Sequence, residues 1–331
     1  MKKLTALRQG ALAIAVVAIF AVSANAAAAA AQDYPAKPIR WLVPFAPAGV
    51  GDLTARIVAK KMTENLRQQI VIDNRPSAGM VVSANLALQA PPDGYTLVQA
   101  GNGSAISQSL FKSLPYDVVR DFTAVSTLAY FDIVLVTHSN SALNSAAEVL
   151  AYAKKNPGKL SIGTGNIGTT QHLAVQLLTL MANINAQTIP FKGTPAAISA
   201  LRGNEIPLVV ETVPALIGQL KSGALKALAV GSTQRSIILP DTPTLAESGL
   251  PGYEATSWTG LSVKAGTPGA VIARLHREIS AAVKSGEVMQ KLGDLGATGR
   301  ASASPEEARR LMRGEIDKWK GVIARAGIDR Q

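Results

Sequence analysis

The chain contains no cysteine and only three histidines in 331 residues, and each scarcity closes a route to function. Without cysteine there is no disulfide framework, no thiolate nucleophile and no lipid-bearing cysteine behind an export signal. His138, His172 and His276 lie far apart with no H-E-x-x-H or other ligand spacing, so no metal is expected. Aromatic residues make up 5% of the chain, and the basic excess, formally +11, is scattered. A nucleic-acid surface concentrates charge on one face beside aromatic or helix-borne reading residues. Nucleic acid is therefore not an expected partner, and the densest groups, Lys154-Lys155, Arg309-Arg310 and Lys318 with Lys320, read as solvated surface. No P-loop lysine motif and no G-x-S-x-G elbow is present.

The N-terminus reads as an address. Lys2, Lys3 and Arg8 precede an apolar run over 11–22 that is too short for a comfortable membrane anchor, and Ala24-Asn25-Ala26 is a small-x-small cleavage site. Residues 1–26 are expected to be a removed signal peptide, with further alanines up to Ala31 offering alternative cuts. Its loss takes three positive charges and leaves +8. The periplasm is the expected compartment, with the protein a monomer in it.

About 300 remaining residues exceed one ordinary core, so two lobes are expected. Strand-like segments at 39–43, 70–73, 95–99, 134–137, 160–163, 187–190, 208–211, 227–231 and 259–263 alternate with helical ones. The helices include 53–66, 77–89, 145–155, 195–202, 217–222, 268–284 and 305–326. Such alternation predicts α/β layers with mostly parallel strands. No long linker divides the chain, so the crossings between lobes should be short strands forming a hinge, near 132–137 and 254–260. That assigns 33–133 and 257–331 to lobe 1 and 134–256 to lobe 2.

Two strand–loop–helix junctions stand out. Pro44-Phe45-Ala46-Pro47-Ala48-Gly49-Val50-Gly51-Asp52 follows the first strand and leads into the helix at 53–66. Gly163-Thr164-Gly165-Asn166-Ile167-Gly168-Thr169-Thr170 does the same in the second half, before a helix from Gln171. A helix start leaves N–H groups unpaired and points its positive dipole end outward, which suits a small anion. One cradle in each half suggests a ligand gripped between lobes. The second loop also matches G-x-G-x-x-G, but about twenty residues on, where an acid should hold a ribose, the chain reads Ala186-Gln187-Thr188-Ile189-Pro190-Phe191. No nucleotide or other cofactor is expected, and with no local catalytic signature neither is an enzyme.

A longer series of landmarks runs in order along the chain: Tyr34-Pro35-Ala36-Lys37-Pro38-Ile39-Arg40, the Pro44-Phe45 loop, Asn74-Arg75-Pro76, Pro92-Asp93-Gly94-Tyr95-Thr96-Leu97 and Leu114-Pro115-Tyr116-Asp117. Gly165-Asn166, Gln171-His172-Leu173-Ala174, Phe191-Lys192-Gly193, Leu239-Pro240-Asp241-Thr242-Pro243-Thr244, Gly249-Leu250-Pro251-Gly252-Tyr253-Glu254 and Ser257-Trp258 follow. In this order they resemble the substrate-binding proteins of tripartite tricarboxylate transporters, the Bug family of periplasmic receptors. The resemblance implies a two-lobed periplasmic-binding-protein-like α/β fold with a hinge and a ligand cleft between the lobes. It further implies that two glycine loops grip a small carboxylate, often through bridging waters, and that a membrane permease receives it. A receptor feeding a sensor, and a periplasmic enzyme reusing the scaffold, are the competing readings.

The expected ligand contacts are Ala48, Gly49, Val50, Gly51, Asp52, Ser104, Gly165, Asn166, Ile167, Gly168, Thr169, Thr170 and Glu211. Asp52 fits two roles, N-cap of the helix at Leu53 and ligand contact. Thr169 and Thr170 fit as caps that still face the anion, and a valine at Gly165 is expected to block the second cradle. His172 reads as a packed structural residue, Trp258 as hinge or core with some access to the cleft, and Arg75 and Asp93 as structural. Compared with the family pattern, Ala48 to Gly51 and Ile167 offer more apolar surface, which suggests a ligand with an apolar body beside its carboxylate. Glu211 stands where the family more usually has Asp and could accept from a ligand hydroxyl or amine, or repel a second carboxylate.

Overall fold

The computed structural model describes residues 34–331, so the signal read from 1–26 lies outside the described residues. The first strand, β1 (Ile39–Val43), passes through the 44–49 loop into α1 (Val50–Leu66), and β2 (Ile70–Asn74) returns beside it. A short turn at Ala78–Met80 then leads to α2 (Val81–Gln89), followed by β3 (Thr96–Gly101) and α3 (Asn102–Leu110). β1 lies between β2 and β3, all parallel, with Arg40 opposite Val71 and Thr96.

The strand that joins the lobes is β4 (Phe122–His138), 17 residues long. The second half of the chain adds α4 (Ala146–Lys155), β5 (Leu160–Thr164), α5 (Thr170–Ala182), β6 (Ala186–Pro190), α6 (Thr194–Arg202), β7 (Leu208–Thr212), α7 (Val213–Lys221) and β8 (Leu225–Val230). The chain then returns through β9 (Thr256–Lys264), α8 (Gly269–Lys284), α9 (Gly286–Asp294), β10 (Thr298–Gly299) and α10 (Pro305–Arg325). From Phe122 to Asp132, β4 pairs antiparallel with β9; from Ile133 onward it pairs with β7 and β8. On the return, Ala255 still donates to Gly231 in the second lobe, whereas Thr256 already faces Asp132. Both changeovers fall at one level, so two adjacent antiparallel strands carry the chain between lobes, the arrangement of a hinge.

Only the end of β4 is visible in the sequence. Its first half, Phe122-Thr123-Ala124-Val125-Ser126-Thr127-Leu128, has bulges against β9 between Ala124 and Ser126 and between Thr127 and Ala129. Each bulge breaks the two-residue alternation that marks a half-buried strand.

Burial explains the layers. In the first lobe α8 presents Val271, Leu275, Ile279, Ala282 and Val283 to Ala55, Val58 and Met62 of α1, all in one buried cluster with Trp41 and Val43. Each large apolar side chain removed from water contributes about 1.5 to 3 kcal/mol before the entropy of ordering is subtracted. The terminal helix does not stay with that lobe: Trp319, Val322 and Ile323 of α10 join the second-lobe core of Leu135, Val149, Leu173 and Val210. Ser304 caps it as expected, accepting from the Glu307 N–H at 3.2 Å, while the Glu307 carboxylate reaches back to the Ala303 N–H at 2.6 Å. α10 therefore straps the two lobes from behind.

Candidate functional site

Parallel strands direct their following helices so that the helix N-termini gather at the carboxyl ends of the strands, where open α/β sheets bind ligands. Here four such ends meet. β1 leads to α1, β3 directly to α3, β5 to α5 and β7 directly to α7, two from each lobe. Between them lies a cleft of about 470 Å³ lined by the starts of all four helices or the residues just before them: Val50 and Gly51, Asn102 to Ser104, Thr169 to Gln171, and Thr212. Its remaining wall is largely apolar, with Phe45, Met80, Leu110, Phe111, Phe131, Ile167 and Trp258, and no charged side chain lines it. Charge complementarity for an anion must then come from backbone N–H groups and helix dipoles, each worth about half a positive charge at a helix start.

The first loop is built on a buried carboxylate that does not line the cleft. The helix starts at Val50 with Gly49 as N-cap, three residues earlier than the sequence reading placed it, so Asp52 is not the cap but a first-turn residue. At 1% exposure, Asp52 accepts from the Ala48 N–H at 2.9 Å, from Arg56 Nε at 2.9 Å and from Asn74 Nδ2 at 2.8 Å. Burial pushes its pKa up, but the hydrogen bonds from Arg56, Asn74 and Ala48 outweigh this and hold it below the usual carboxylate value. Asn74 also donates to the Phe45 carbonyl at 3.1 Å, so Asp52 and Asn74 together pin the loop from below. Ala48 and Gly49 shape the loop without lining the cleft, and Ala48 holds the left-handed conformation at φ 63°. Gly51 gives the Phe45 ring its place over the helix start: a Cβ there would come within 2.4 Å of the ring, which is 44% exposed and would have to move.

In the second loop Thr169 caps α5 by accepting from the His172 N–H at 3.3 Å, while its hydroxyl donates to the Asn166 carbonyl at 2.8 Å. Gly168 carries the constraint that the sequence reading gave to Gly165. Its φ is +81°, and a Cβ there would lie 2.2 Å from Leu110 Cδ2 at the end of α3, across the cleft. A Cβ on Gly165 meets nothing nearer than Thr169 at 3.6 Å, and neither Gly165 nor Asn166 lines the cleft. Ile167 stands at the lip, 49% exposed, opposite in role to Phe45 on the other loop.

Glu211 is likewise held behind the wall, 1% exposed, accepting from Thr194 Oγ1 at 2.6 Å, from the Thr212 N–H at 2.7 Å and from Gln171 Nε2. It orients Gln171, which does line the cleft and which the sequence reading passed over as part of a motif. Ser104 lines the cleft, but its hydroxyl donates to Met80 Sδ at 3.1 Å and accepts from the Gly101 N–H at 3.2 Å. His172 is buried away from the cleft, and burial lowers its pKa so that it stays neutral. Trp258 is both packed and part of the wall.

Residues 77–80, Thr259 and Gln331 also line the cleft and were not marked by the sequence reading, while Ser257 enters that reading only as part of a landmark. The turn at 77–80 follows β2 and could have been found by the same rule that places ligands at strand carboxyl ends. Thr259 could not, because β9 runs antiparallel and enters the site by its start. A larger hollow of about 810 Å³ lies behind α3 against α10, lined by Asp117, Arg313, Asp317, Lys320 and Arg330 among others, but by no helix's first turn. Among the described residues no group of three or more His, Cys, Asp or Glu side chains could hold a metal ion, and no helix is long and apolar enough to cross a membrane.

Residues 54–328 match the model of the tripartite tricarboxylate transporter family receptor. The protein BugT of Bordetella pertussis is 34% identical over 317 residues, covering 95% of this chain and 97% of its own length. Among solved structures, Rpa4515 of R. palustris with adipate is 30% identical with a TM-score of 0.77, over 90% of this chain and 99% of that one. MatC from Rhodopseudomonas palustris with bound malate is 29% identical with a TM-score of 0.73, over 88% and 100%. A two-lobed α/β architecture, a cleft fed by helix N-termini and a family match along most of the chain lead to one conclusion: this protein belongs to the tripartite tricarboxylate transporter receptor family of solute-binding proteins.

Proposed function

We propose that this chain is a periplasmic receptor that closes two lobes, 33–133 with 257–331 and 134–256, over a small carboxylate. The closed form then presents the acid to the membrane permease of a tripartite tricarboxylate-type transporter. The observation that carries this reading is the convergence of four helix starts on a cleft with no charged side chain. Neutral donors held in a low-dielectric site suit an ionised carboxylate, and each charge-assisted hydrogen bond contributes about 1.5 to 3 kcal/mol. A handful of these, after the costs of closure and desolvation, is enough for micromolar affinity, about 8 kcal/mol. No bond of the ligand is made or broken.

The wall narrows the ligand further. Phe45, Leu110, Phe111, Phe131 and Ile167 ask for an apolar body, and the buried negative charge of Glu211 behind Gln171 disfavours a second carboxylate on that side. The relatives with adipate and malate support a carboxylate as the ligand class. A thermal-shift screen of the mature protein against aliphatic, aromatic, keto and dicarboxylic acids tests the reading. A ligand at a hundred times its dissociation constant adds about 2.7 kcal/mol, which raises the midpoint of a chain of this size by about 5 °C or more. A cooperative melt with no shift from any carboxylate would overturn it. Delivery is tested by uptake: deleting the receptor should abolish entry of the acid that shifts the melt.

A further inference from the structure

Two buried carboxamides set the hydrogen-bond polarity of two threonine hydroxyls in the cleft. Gln99, near the end of β3 and fully buried, holds Nε2 3.0 Å from the Gly51 carbonyl and 2.8 Å from Thr259 Oγ1. A carbonyl oxygen only accepts, so the amide nitrogen must face Gly51, and its other N–H is spent on Thr259. The amide keeps this orientation although its own Oε1 is buried without a partner.

Asn102, the first residue of α3, repeats the device on the other side, and its orientation is fixed by the Thr256 carbonyl, with Oδ1 sharing the Trp319 N–H with Glu315 Oε2 at 2.7 Å. Oδ1 accepts from Trp319 Nε1 at 2.8 Å, an indole that only donates, and Nδ2 donates to the Thr256 carbonyl at 3.1 Å. The remaining N–H reaches Thr170 Oγ1 at 3.0 Å. Thr259 and Thr170 therefore both use a lone pair toward an amide behind them. Both line the cleft, one from each lobe, both are more than nine-tenths buried, and among the described residues neither hydroxyl donates to a protein acceptor.

We infer that Gln99 and Asn102 are positioning residues that leave Thr259 and Thr170 requiring an acceptor from the ligand, so that the cleft selects an ionised carboxylate over the isosteric neutral amide. A ligand N–H facing either threonine would strand a buried hydroxyl proton, whereas a carboxylate oxygen satisfies it from either lobe. Closure of the lobes brings both hydroxyls to bear, which couples recognition of charge to the closed state. This selection rests on the carboxylate reading above.

The test uses hexanoate, adipate and benzoate with their primary amides as probes, read by calorimetry and by intrinsic tryptophan fluorescence, to which Trp258 contributes from the cleft wall. The wild type should bind a carboxylate at least about thirtyfold more tightly than its amide, the worth of one to two charge-assisted hydrogen bonds. Thr259→Val and Thr170→Val should each weaken carboxylate binding about tenfold or more; each also strands the amide N–H of Gln99 or Asn102, so the unliganded melting temperature falls by about 2 °C or more, and affinity is compared at a temperature where every variant is folded. Thr259→Ser and Thr170→Ser should restore affinity to within about threefold. Gln99→Met, which releases Thr259 from its amide, should narrow the ratio between carboxylate and amide. Unchanged carboxylate affinity in both valine variants, or equal binding of acid and amide by the wild type, would overturn this inference alone. Failure of every probe to bind would overturn the carboxylate reading and this inference with it.

Discussion

Gly168 offers the sharpest perturbation of the site, because two independent constraints meet there while its neighbour Gly165 has neither. At φ +81° an alanine carries a left-handed strain of about 1 to 2 kcal/mol. Its Cβ would also sit 2.2 Å from Leu110 Cδ2, against an ordinary carbon–carbon separation of about 3.5 to 4 Å, so the loop and α3 must separate by more than about 1 Å. The strain exists whether or not ligand is bound, but the separation is opposed only by closure. Gly168→Ala should therefore lower the melting midpoint by about 2 to 6 °C and weaken carboxylate binding by a further tenfold or so. Gly165→Ala, whose Cβ meets nothing nearer than 3.6 Å, should leave both within about 1 °C and twofold. The assay is paired calorimetry and thermal melting of the two variants, with small-angle scattering of the liganded forms to follow closure. Equal behaviour of the two variants, or a larger loss at Gly165, would refute the assignment of the close approach to Gly168.

Ala48 sits in the left-handed region at φ 63°, so Ala48→Gly should raise stability by about 0.5 to 1 kcal/mol, measured by urea unfolding, with ligand affinity unchanged. Glu211→Ala strands the Gln171, Thr194 and Thr212 donors and should cost about 2 to 3 kcal/mol, whereas Glu211→Gln, which keeps one carbonyl oxygen, should cost about 1 kcal/mol or less. Asp52 titrates below the ordinary carboxylate value, so the unfolded chain takes up its proton first. Its stabilisation is complete above about pH 4 and is lost as the pH falls through the folded-state value. Asp52→Asn should flatten that part of the stability profile, read from denaturant midpoints across the acid range. Gly51→Ala should displace the Phe45 ring and weaken binding of the acid with the largest apolar body most, which a comparison of hexanoate with acetate would show.

Much of the fold was legible because its signals are local. Ile39–Val43 is an apolar run broken only by Arg40 before a proline-glycine loop, and Val271, Leu275 and Ile279 recur at helical spacing, so strand and helix follow from nearest neighbours. Helix starts were less legible: α1 and α7 begin three and four residues before the apolar period becomes visible, at Val50 and Val213, because Gly51 and Pro214 interrupt the pattern without interrupting the helix. Proline in a first turn gives up an N–H that has no partner there anyway.

The amino-acid sequence by itself determined the class of protein: an alternating α/β chain, two glycine junctions at strand ends, and residues in the order of a receptor family. Local periodicity and turn chemistry act over a few residues and need no partner from elsewhere. Tertiary structure alone decided which of those residues line the cleft. Asp52 and Glu211 looked like contacts because carboxylates at loop ends often are, yet each turns inward to accept from half-buried donors, Asn74 from β2 and Thr194 from α6, that lie 22 and 17 residues away. Thr259 looked like any strand threonine until Gln99, 160 residues distant in the chain, was found to claim its lone pair. A hydrogen bond between side chains carries no trace in the spacing of either residue, so the direction in which a polar group points is settled only when the lobes are assembled.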